Sequence, residues 1–400
     1  MQILPVDNRR RWQDFLDFPR ILYAQDPAWV GPLDMEIRNL FDPRKNPHFS
    51  DGEAQLWVAY DRRGEPIGRI AAFVYYPKAR RYAVPTGGIG FWETIEDYTV
   101  AQTLLDTACA WLSERGLEAA DACVNFGEND RFWGVLVEGF DTPPAYGMPY
   151  NKPYYADFLA RYGFEVYFRQ ESRELDLRQI PDRIVRIAQR AAQKAGVTFA
   201  YPEKHRLKKY AHDFMVIYND AWQNHEHFVP LTPERVEKLV ANLAPILVEE
   251  MIYFAYVDGE PAGVILALPD LNQIFRPWRG KPSFWQMVQF LWRKRHKYAW
   301  YRRRGILTRA RVMLMGVRPR YQRRGLESAL AYLPVPPVLQ MGITHAELSW
   351  VGDFNPAMLA VLEATQARRS KIHCTFRYYF SPEARARALA AERRIIARPA

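Results

Sequence analysis

The sequence of 400 residues contains no run of 18 apolar residues without a charged one. A helix needs about 20 such residues to cross the hydrocarbon core of a bilayer, so we expect no membrane-spanning helix. The first residues, Met1 to Asp7, also lack the order of a signal peptide, in which a charged segment precedes an apolar one. From these two absences we expect a cytoplasmic protein.

Cysteine is scarce, because Cys109, Cys123 and Cys374 are the only three and lie far apart in the sequence. An odd number of distant cysteines argues against a disulfide scaffold, and their spacing matches no zinc site. We therefore expect reduced thiols and no metal cofactor.

Acidic residues are fewer than basic ones, 45 against 55, which gives a net charge of +10. An excess of positive charge attracts nucleotides, phosphorylated cofactors, nucleic acid or anionic lipid, and does not select among them. Hydrophobic residues make up 48% of the chain, which is enough for large cores, and the length predicts two or three domains.

A basic turn with one glycine joins a predicted strand to a predicted helix. The strand contains Val312-Met-Leu-Met315, and the helix runs from Leu326 to Leu333. The turn between them contains Gly325, and Arg320, Arg323 and Arg324 supply positive charge around it. The first N–H groups of a helix have no partner inside it, its dipole favours negative charge there, and glycine lets a phosphate approach. The turn therefore predicts an anion-binding site. The alternative is a strand–turn–helix whose arginines are merely solvated.

The same stretch resembles motif A of the GNAT acyltransferase superfamily. Val317, Pro319, Gln322 and Gly325 match the pattern, whereas Glu327 stands where the family has glycine or alanine. The resemblance implies that the loop amides hold the pyrophosphate of acetyl-CoA or another acyl-CoA, which acts as co-substrate. The cofactor-binding candidates are Val317, Gln322, Arg323, Arg324, Gly325, Leu326 and Asn355.

The chain repeats its own pattern. Two predicted hairpins, Trp57 to Gly68 and Tyr253 to Gly263, each place Gly-Glu-Pro in or beside a turn between apolar strands. Other segments recur in the same order, so we predict an α+β protein of tandem GNAT folds, with a mixed central sheet in each half flanked by helices. The segments Asn151 to Tyr155 and Leu268 to Asn272 make the chain similar to a bacterial group of tandem GNAT-like proteins, the YghO-like group.

The repeat predicts four regions along the chain. They are a degenerate N-terminal GNAT-like domain (1–178), a connecting helix (179–196), a C-terminal GNAT-like domain with the acyl-CoA site (197–381) and a basic tail (382–400).

The first half has an acidic turn at the position equivalent to the basic one. Glu93, Glu96 and Asp97 replace the arginines. At an effective dielectric of 20, two like charges about 4 Å apart repel by about 4 kcal/mol. We therefore expect the N-terminal domain not to bind coenzyme A.

For catalysis, the resemblance implies a base for the amine proton, an N–H group for the thioester carbonyl and an acid for the thiolate. The tyrosine that the family often uses as the acid is replaced by Leu362. Tyr378 is a substitute candidate, although aromatic residues on a closing strand are more often core. Glu347 and Ser349 alternate on a predicted strand and point to one face, so they are the candidates for the base. The alternative for Glu347 is an ion pair with an arginine.

Four residues are candidates for contact with the acceptor. His225 and His227 lie two apart in a loop of the region that binds the acceptor in the family, and a third metal ligand at a recognisable spacing is missing. Asp270 and Asn272 follow the predicted third strand. A solvated polar loop is the alternative for both pairs.

The segment Phe284 to Arg304 combines aromatic and basic residues. One predicted helix face is apolar, because the residues at helical spacing are Phe284, Val288, Leu291, Trp292 and His296. We favour a helix packed on the C-terminal domain, and two alternatives are contact with an anionic membrane surface and binding of RNA.

These observations lead to three candidate functions. The first is an acyl-CoA-dependent N-acyltransferase that modifies a small-molecule amine. The second is a non-catalytic GNAT-fold binding protein. The third is an aminoacyl- or lipid-handling transferase that uses the basic segment 284–304.

Overall fold

The structure is a computed structural model that describes residues 1–127, 131–223 and 230–396. The chain forms two compact units. The first unit comprises Met1–Gln170, Phe275–Pro282 and Lys371–Ala400, and the second comprises Glu171–Ile274 and Ser283–Ser370. Residues 275–282 and 371–400 thus belong to the first unit, although they follow the predicted N-terminal domain in sequence.

Thirteen strands occur in the described residues. In chain order they are β1 (Gln2–Pro5), β2 (Gly52–Tyr60), β3 (Pro66–Tyr75), β4 (Thr86–Thr94), β5 (Ala119–Ala122), β6 (Val135–Glu138), β7 (Glu165–Asp176), β8 (Val197–Ala200), β9 (Ile252–Val257), β10 (Glu260–Pro269), β11 (Arg309–Val317), β12 (His345–Gly352) and β13 (Arg368–Tyr379).

Fifteen helices accompany them in the same residues. In chain order they are α1 (Arg9–Leu22), α2 (Asp34–Leu40), α3 (Tyr76–Ala79), α4 (Tyr98–Ser113), α5 (Tyr155–Tyr162), α6 (Asp182–Ala192), α7 (Leu207–Trp222), α8 (Pro233–Leu243), α9 (Asn272–Phe275), α10 (Phe284–Arg293), α11 (Arg295–Arg303), α12 (Leu326–Tyr332), α13 (Val335–Gln340), α14 (Pro356–Ala364) and α15 (Pro382–Ile396).

The first unit contains a mixed sheet in the order β1-β2-β3-β4-β5-β13, and β6 also pairs with β13. The pair β4–β5 is parallel, whereas β2–β3, β3–β4 and β5–β13 are antiparallel. Helix α4 buries Leu104, Leu105, Ala108 and Leu112 in the core of this unit. Apolar residues at spacings of three and four explain why that face of α4 is buried.

The second unit has the order β8-β9-β10-β11-β12, and β7 adjoins β12. The pair β11–β12 is parallel, and β8–β9, β9–β10 and β10–β11 are antiparallel. Helix α7 buries Phe214 and Ile217 in one cluster of core residues, and α12 buries Leu326 and Leu330 in another. The α+β class with a mixed sheet and flanking helices is therefore confirmed in each unit.

The two predicted hairpins are present. In the second unit the residues between β9 and β10, Asp258 and Gly259, have φ of 50° and 81°. Positive φ at both central residues is the feature of a type I′ turn, which favours Asp-Gly and matches the twist of the strands. In the first unit, the Asp61 side chain accepts hydrogen bonds from the N–H groups of Arg63 and Glu65, which closes the turn between β2 and β3.

The C-terminal segment is a helix rather than a loose tail. Helix α15 buries Ala384 and Ala388 against Val84 and Ala119 of the first unit. Small side chains on one helix face allow this close packing, while the arginines between them lie on the other faces.

The prediction of one packed helix over residues 284–304 is wrong in two respects. It is two helices, α10 and α11, because His296, Lys297 and Tyr298 adopt left-handed φ of 55–61°. Moreover, the apolar residues of α10 that we expected to pack on the domain are exposed, and Phe290 is the residue of this helix that is buried. The periodicity identified an apolar face correctly, but it does not say which side of the helix contacts the protein.

Candidate functional site

The central feature of the second unit is a pair of parallel strands that separate. β11 pairs with β12 from Arg309 to Val312, opposite His345 to Leu348. Both strands continue, to Val317 and Gly352, beyond the last paired residues. Unpaired backbone on the facing edges can donate and accept hydrogen bonds, so the opening is suited to an extended ligand.

A bulge and a glycine shape β11 where it leaves β12. Met313 is an extra residue in the ladder with β10, because Leu266 faces Leu314 and Ala267 faces Val312. The direction of β11 therefore changes at Met313, four residues before the strand ends. At Gly316 an added Cβ would lie 2.3 Å from the Trp222 ring, so glycine is needed for α7 to approach the strand.

The turn after β11 has the conformation that the anion-site prediction requires. A 3₁₀ turn covers Pro319–Tyr321, and the Gln322 side-chain amide donates to the carbonyl oxygen of Val317 over 3.1 Å. Arg323 and Gly325 have φ of 60° and 85°, and α12 begins at Leu326 as predicted. The chain thus folds back on itself just before the helix N-terminus.

Arg318 and Arg320, at the start of the turn, bind neighbouring residues of the protein. Arg318 donates to Asp220 over 2.6 Å and to the carbonyl oxygen of Pro261 over 2.9 Å. Arg320 and Tyr321 both bind the carboxylate of Glu260. The hydrogen bond from Tyr321 and the charge of Arg320 lower the pKa of Glu260. These contacts attach the turn to the neighbouring elements.

Arg323 and Arg324 are exposed, and within the described part of the chain neither forms an ion pair. The guanidinium of Arg324 lies 5.5 Å from the centre of the Tyr321 ring. Glu327, the departure from the family motif, also has no hydrogen bond or ion pair to a described residue. The two arginines are therefore available for a phosphate, and the carboxylate does not occupy them.

Helix α6 packs against the turn at Gly325. The Lys194 ammonium group, just beyond α6, donates to the carbonyl oxygen of Arg324 over 2.9 Å. An added Cβ at Gly325 would lie 3.1 Å from Ile187 and 3.4 Å from Ala191. Gly325 is therefore required by the helix behind it as well as by its positive φ. Sequence reasoning missed Lys194, and its place at the end of the connecting helix was the one available signal.

Of the two candidates for the base, Glu347 is buried and Ser349 is half-buried, and both lie among charged residues. Glu347 is 1% exposed and accepts a hydrogen bond from Ser370 over 3.1 Å. Arg311, in register with Glu347 across the strand pair, donates to the Ser349 hydroxyl over 2.5 Å. The structure thus brings Glu347 and Ser349 together on β12, with an arginine between the strands. Their catalytic role stays a prediction.

Asp270 and Asn272 belong to the same buried end of the second unit. Asp270 is fully buried, binds Arg309 over 2.7 Å and accepts from the N–H of Asn272 over 3.2 Å. Burial opposes the charge of Arg309, but Asp270 and Glu347 together raise its pKa. Asp270 therefore neutralises a buried arginine, and its contact with an acceptor stays a prediction.

Asn355 has a structural role in the second unit, and Tyr378 belongs to the first unit. The side-chain oxygen of Asn355 accepts a hydrogen bond from the N–H of Met358 over 3.1 Å and so caps α14, as asparagine often does at a helix N-terminus. Tyr378 is in the first unit, where its ring contacts Tyr162 and Phe164. His225 and His227 lie outside the described residues.

The equivalent region of the first unit is built differently. β4 and β5 are also parallel over four residues, Thr86–Ile89 with Ala119–Ala122, before β4 runs on to Thr94. The Tyr155 hydroxyl accepts the Thr94 N–H over 2.9 Å, and the Tyr155 ring lies 4.8 Å from that of Trp92. Aromatic side chains therefore pack beside β4 near the end of this strand.

The acidic turn of the first unit differs from its prediction in one respect. Glu93 does not project toward the helix N-terminus, because it pairs with the buried Arg69 on β3. Asp97 accepts the N–H of Thr99 over 2.8 Å and so caps α4. The expected repulsion by three carboxylates is wrong for Glu93, whose charge is neutralised within the fold.

The described residues contain neither a cluster of metal ligands nor a membrane-spanning helix. No three His, Cys, Asp or Glu side chains lie close enough together there to hold a metal ion. Within the same residues, every helix is too short or too polar to cross a bilayer.

Comparison with known proteins identifies relatives over the whole chain. Protein YghO of Escherichia coli strain K12 is 30% identical over 374 residues, which are 91% of this chain and 92% of that protein. A protein named bacterial ceramide synthase, from Caulobacter vibrioides, is 29% identical over 391 residues, which are 95% of this chain and 97% of that protein. No family model matches the chain.

Among solved structures, a tandem GNAT protein from the clavulanic acid biosynthesis pathway is similar over 95% of this chain and 99% of its own. The TM-score is 0.57 and the sequence identity is 13%, which shows a shared fold alone. The tandem GNAT fold predicted from motif A and from the internal repeat is thereby confirmed. With the identity and coverage given above, the chain belongs to the family of Protein YghO.

Proposed function

We propose that the protein is an acyl-CoA-dependent N-acyltransferase whose second unit binds the acyl-CoA. The observation that carries this proposal is the separation of β11 and β12 above a turn with two unpaired arginines. In the first unit the parallel pairing of β4 and β5 also ends before β4 does, but the Val124 N–H donates to the carbonyl oxygen of Ile89 over 2.8 Å, and Tyr155 and Trp92 pack beside the end of β4. In this proposal the acyl-CoA therefore occupies the second unit.

The residues present fit the phosphate groups of coenzyme A. Arg323 and Arg324 supply positive charge, and the first N–H groups of α12 have no partner within the helix. Lys194 fixes the carbonyl of Arg324 on the far side, which orients the turn. In this proposal the three residues hold the diphosphate, and the opening between β11 and β12 receives the acyl-bearing arm.

The bound thioester supplies an activated acyl carbonyl. A neutral amine attacks this carbonyl, the amide C–N bond forms, the C–S bond breaks, and the thiol leaves with a proton. The unpaired N–H groups of β11 beyond Val312 are placed to donate to the carbonyl oxygen as negative charge develops on it. Glu347 is the proposed acceptor of the amine proton, and Ser349 with Arg311 positions β12 beside it.

We further propose that the acceptor is the amino group of a long-chain lipid amine rather than a small polar amine. The support is the relative named bacterial ceramide synthase, since a ceramide is an N-acylated long-chain amino alcohol. The exposed apolar side chains of α10 on the same unit are consistent with a substrate that resides in a membrane. This acceptor replaces the small-molecule amine that the sequence led us to expect.

Binding of the cofactor can be tested apart from turnover. Thermal unfolding with saturating palmitoyl-CoA should show stabilisation, about 2.7 kcal/mol at a ligand concentration of 100 times Kd. The double variant R323E/R324E should lose this stabilisation. The control is R62E/R63E, which makes the same charge change at two adjacent exposed arginines of the β2–β3 turn. Equal stabilisation of both variants would show that the turn is not the phosphate site.

Mass spectrometry of reaction mixtures tests the chemistry and the acceptor. With palmitoyl-CoA, we expect an N-acyl product from sphinganine and none from glucosamine or spermidine. If product formed from the polar amines alone, the proposed acyltransferase activity would stand and the proposed lipid acceptor would be wrong.

A second candidate function is a GNAT-fold binding protein without turnover. It is favoured by Leu362, which is buried on α14. Leu362 stands at the position where the family often has the tyrosine that serves as the general acid. Stabilisation by acyl-CoA without any amide product from the three amines would support this candidate.

A further inference from the structure

Helix α10 exposes its apolar face instead of burying it. Five large apolar side chains point to solvent, with exposed fractions of 74% for Phe284, 70% for Trp285, 40% for Val288, 49% for Leu291 and 61% for Trp292. At 3.6 residues per turn, these five lie within an arc of roughly 120°. An apolar stripe of this width normally faces the core. Here it forms a continuous exposed face.

The orientation of α10 is fixed by contacts on its other side. Phe290 is buried, and its ring lies 6.2 Å from that of Tyr298 and 6.4 Å from that of Tyr301. Lys294, at the C-terminal end, donates to the carbonyl oxygen of Pro245 over 3.2 Å. Ser283 and Gln286 form a capping box at the start of the helix. The exposed face is therefore held outward by an anchored helix.

Positively charged residues follow this apolar face along the chain. Arg295 falls on the same side of the helical pattern as Phe284 and Val288, and Arg303 and Arg304 follow at the end of α11. In the described part of the chain, Arg295 and Arg303 form no ion pair. Arg304 lies 4.2 Å from the centre of the Trp300 ring and is exposed. The face thus combines tryptophan, aliphatic side chains and free arginines.

We propose that the α10 face, defined as Phe284, Trp285, Val288, Leu291 and Trp292 with Arg295 and Arg303, docks on the surface of an anionic membrane. The five side chains enter the headgroup and upper acyl region, where tryptophan is favoured because its ring is apolar and its N–H remains hydrogen-bonded. The arginines bind lipid phosphates at the same depth. An RNA site would need its aromatic rings along a cationic groove, whereas here the stripe is apolar along its length.

Vesicle sedimentation tests the proposal. The full-length protein should pellet with phosphatidylcholine vesicles that contain about one third phosphatidylglycerol, and far less with phosphatidylcholine alone. W285S/W292S should bind the anionic vesicles at least tenfold more weakly. R295Q/R303Q should reduce binding roughly twentyfold, since each arginine near the surface contributes about a fivefold factor. Added salt should weaken the binding of the wild type.

The matched control is I21S/F354S, which removes two other exposed apolar side chains, 61% and 56% exposed, outside α10. This control should bind vesicles like the wild type, and all variants should keep the wild-type Tm because the replaced side chains are exposed. Vesicle binding requires neither acyl-CoA nor turnover, so its result is independent of the proposed activity.

Three results would overturn the proposal. The wild type could fail to pellet with anionic vesicles, or W285S/W292S could pellet as well as I21S/F354S. Light scattering could show that the wild type is a dimer and W285S/W292S a monomer, which would make the face a contact between copies of the chain. Finally, tight binding of oligouridine without vesicle binding would assign the face to RNA.

Discussion

Lys194 and Arg324 are joined by a hydrogen bond of 2.9 Å from the ammonium group of the lysine to the main-chain carbonyl of the arginine. The contact connects the end of α6 to the turn that precedes α12. It satisfies the main-chain carbonyl of Arg324 and does not involve the Arg324 side chain. The lysine therefore contributes charge and orientation to the turn at the same time.

We predict that Lys194→Ala weakens the binding of palmitoyl-CoA about five- to tenfold, because a hydrogen bond to the turn and a nearby positive charge are both lost. The Tm should fall only slightly, since the lysine is exposed. Calorimetric titration measures the affinity. Lys208→Ala, which removes an exposed lysine from α7, is the control and should bind like the wild type. Unchanged affinity in Lys194→Ala would place the phosphates elsewhere.

Gly325→Ala should destabilise the protein for two separable reasons. The positive φ of 85° costs a residue with a Cβ about 1–2 kcal/mol, and the new methyl group would press on Ile187 at 3.1 Å. Gly64→Ala is a suitable control, because its φ is 80° and nothing lies within 4 Å of the added Cβ. Chemical denaturation should give a larger loss at Gly325 than at Gly64. Equal losses would show that α6 moves away without cost.

Asp270→Asn should be strongly destabilising, by about 3–5 kcal/mol, because it removes the fully buried carboxylate that is hydrogen-bonded to the largely buried Arg309. The exposed pair between Arg385 and Glu165 offers the comparison, and Glu165→Gln should change the unfolding free energy little. Urea unfolding measures both. If Asp270→Asn retained its stability and lost affinity for the amine, the residue would be an acceptor ligand as the sequence predicted.

Much of this fold follows from local sequence signals. The Asp258-Gly259 turn, the start of α12 after Gly325 and the strand before it are each specified by residues within a few positions of one another. Positive φ favours glycine or a small polar residue at a turn, so Asp258, Gly259 and Gly325 indicate the conformation of their turns directly. The internal repeat then extended these local predictions to both halves.

Pairings between distant residues were not predictable in the same way. Glu93 meets Arg69 from 24 positions away, and Lys194 meets Arg324 from 130 positions away. Charge in the sequence shows that a residue needs a partner, but the partner is chosen by strand register and helix packing. The same holds for α10, whose period reveals an apolar face and not its direction. These errors concern tertiary contacts, which one sequence does not encode locally, whereas the break between α10 and α11 at His296 is an error of secondary structure.

Glu347→Gln separates a catalytic base from a structural carboxylate. Because Glu347 is 1% exposed and its charge supports Arg309, we expect a loss of about 3–5 kcal/mol in the free energy of unfolding. A base would show a second effect, a fall in kcat of at least a hundredfold together with loss of the acidic limb of the pH–rate profile. Ser370→Ala, which removes a hydrogen bond to Glu347 but not its charge, should lower kcat much less. An unaltered pH–rate profile in Glu347→Gln would leave only the structural role.

The Cys109 thiol should be inert in the native protein and should link stability to alkaline pH. Burial raises its pKa to about 12, well above the value of about 8.5 for an unfolded cysteine. The folded protein therefore holds this proton more tightly, so the stabilisation is complete below about pH 8.5 and is lost as the pH rises toward 12. Between pH 8.5 and 9.5, below the titration of most tyrosines, the unfolding free energy of the wild type should fall toward a slope of about 1.4 kcal/mol per pH unit relative to Cys109→Ala. A thiol reagent at pH 8 should modify Cys109 only after denaturation, and rapid modification of the native protein, mapped to Cys109 by peptide mass, would mean that α4 opens at this position.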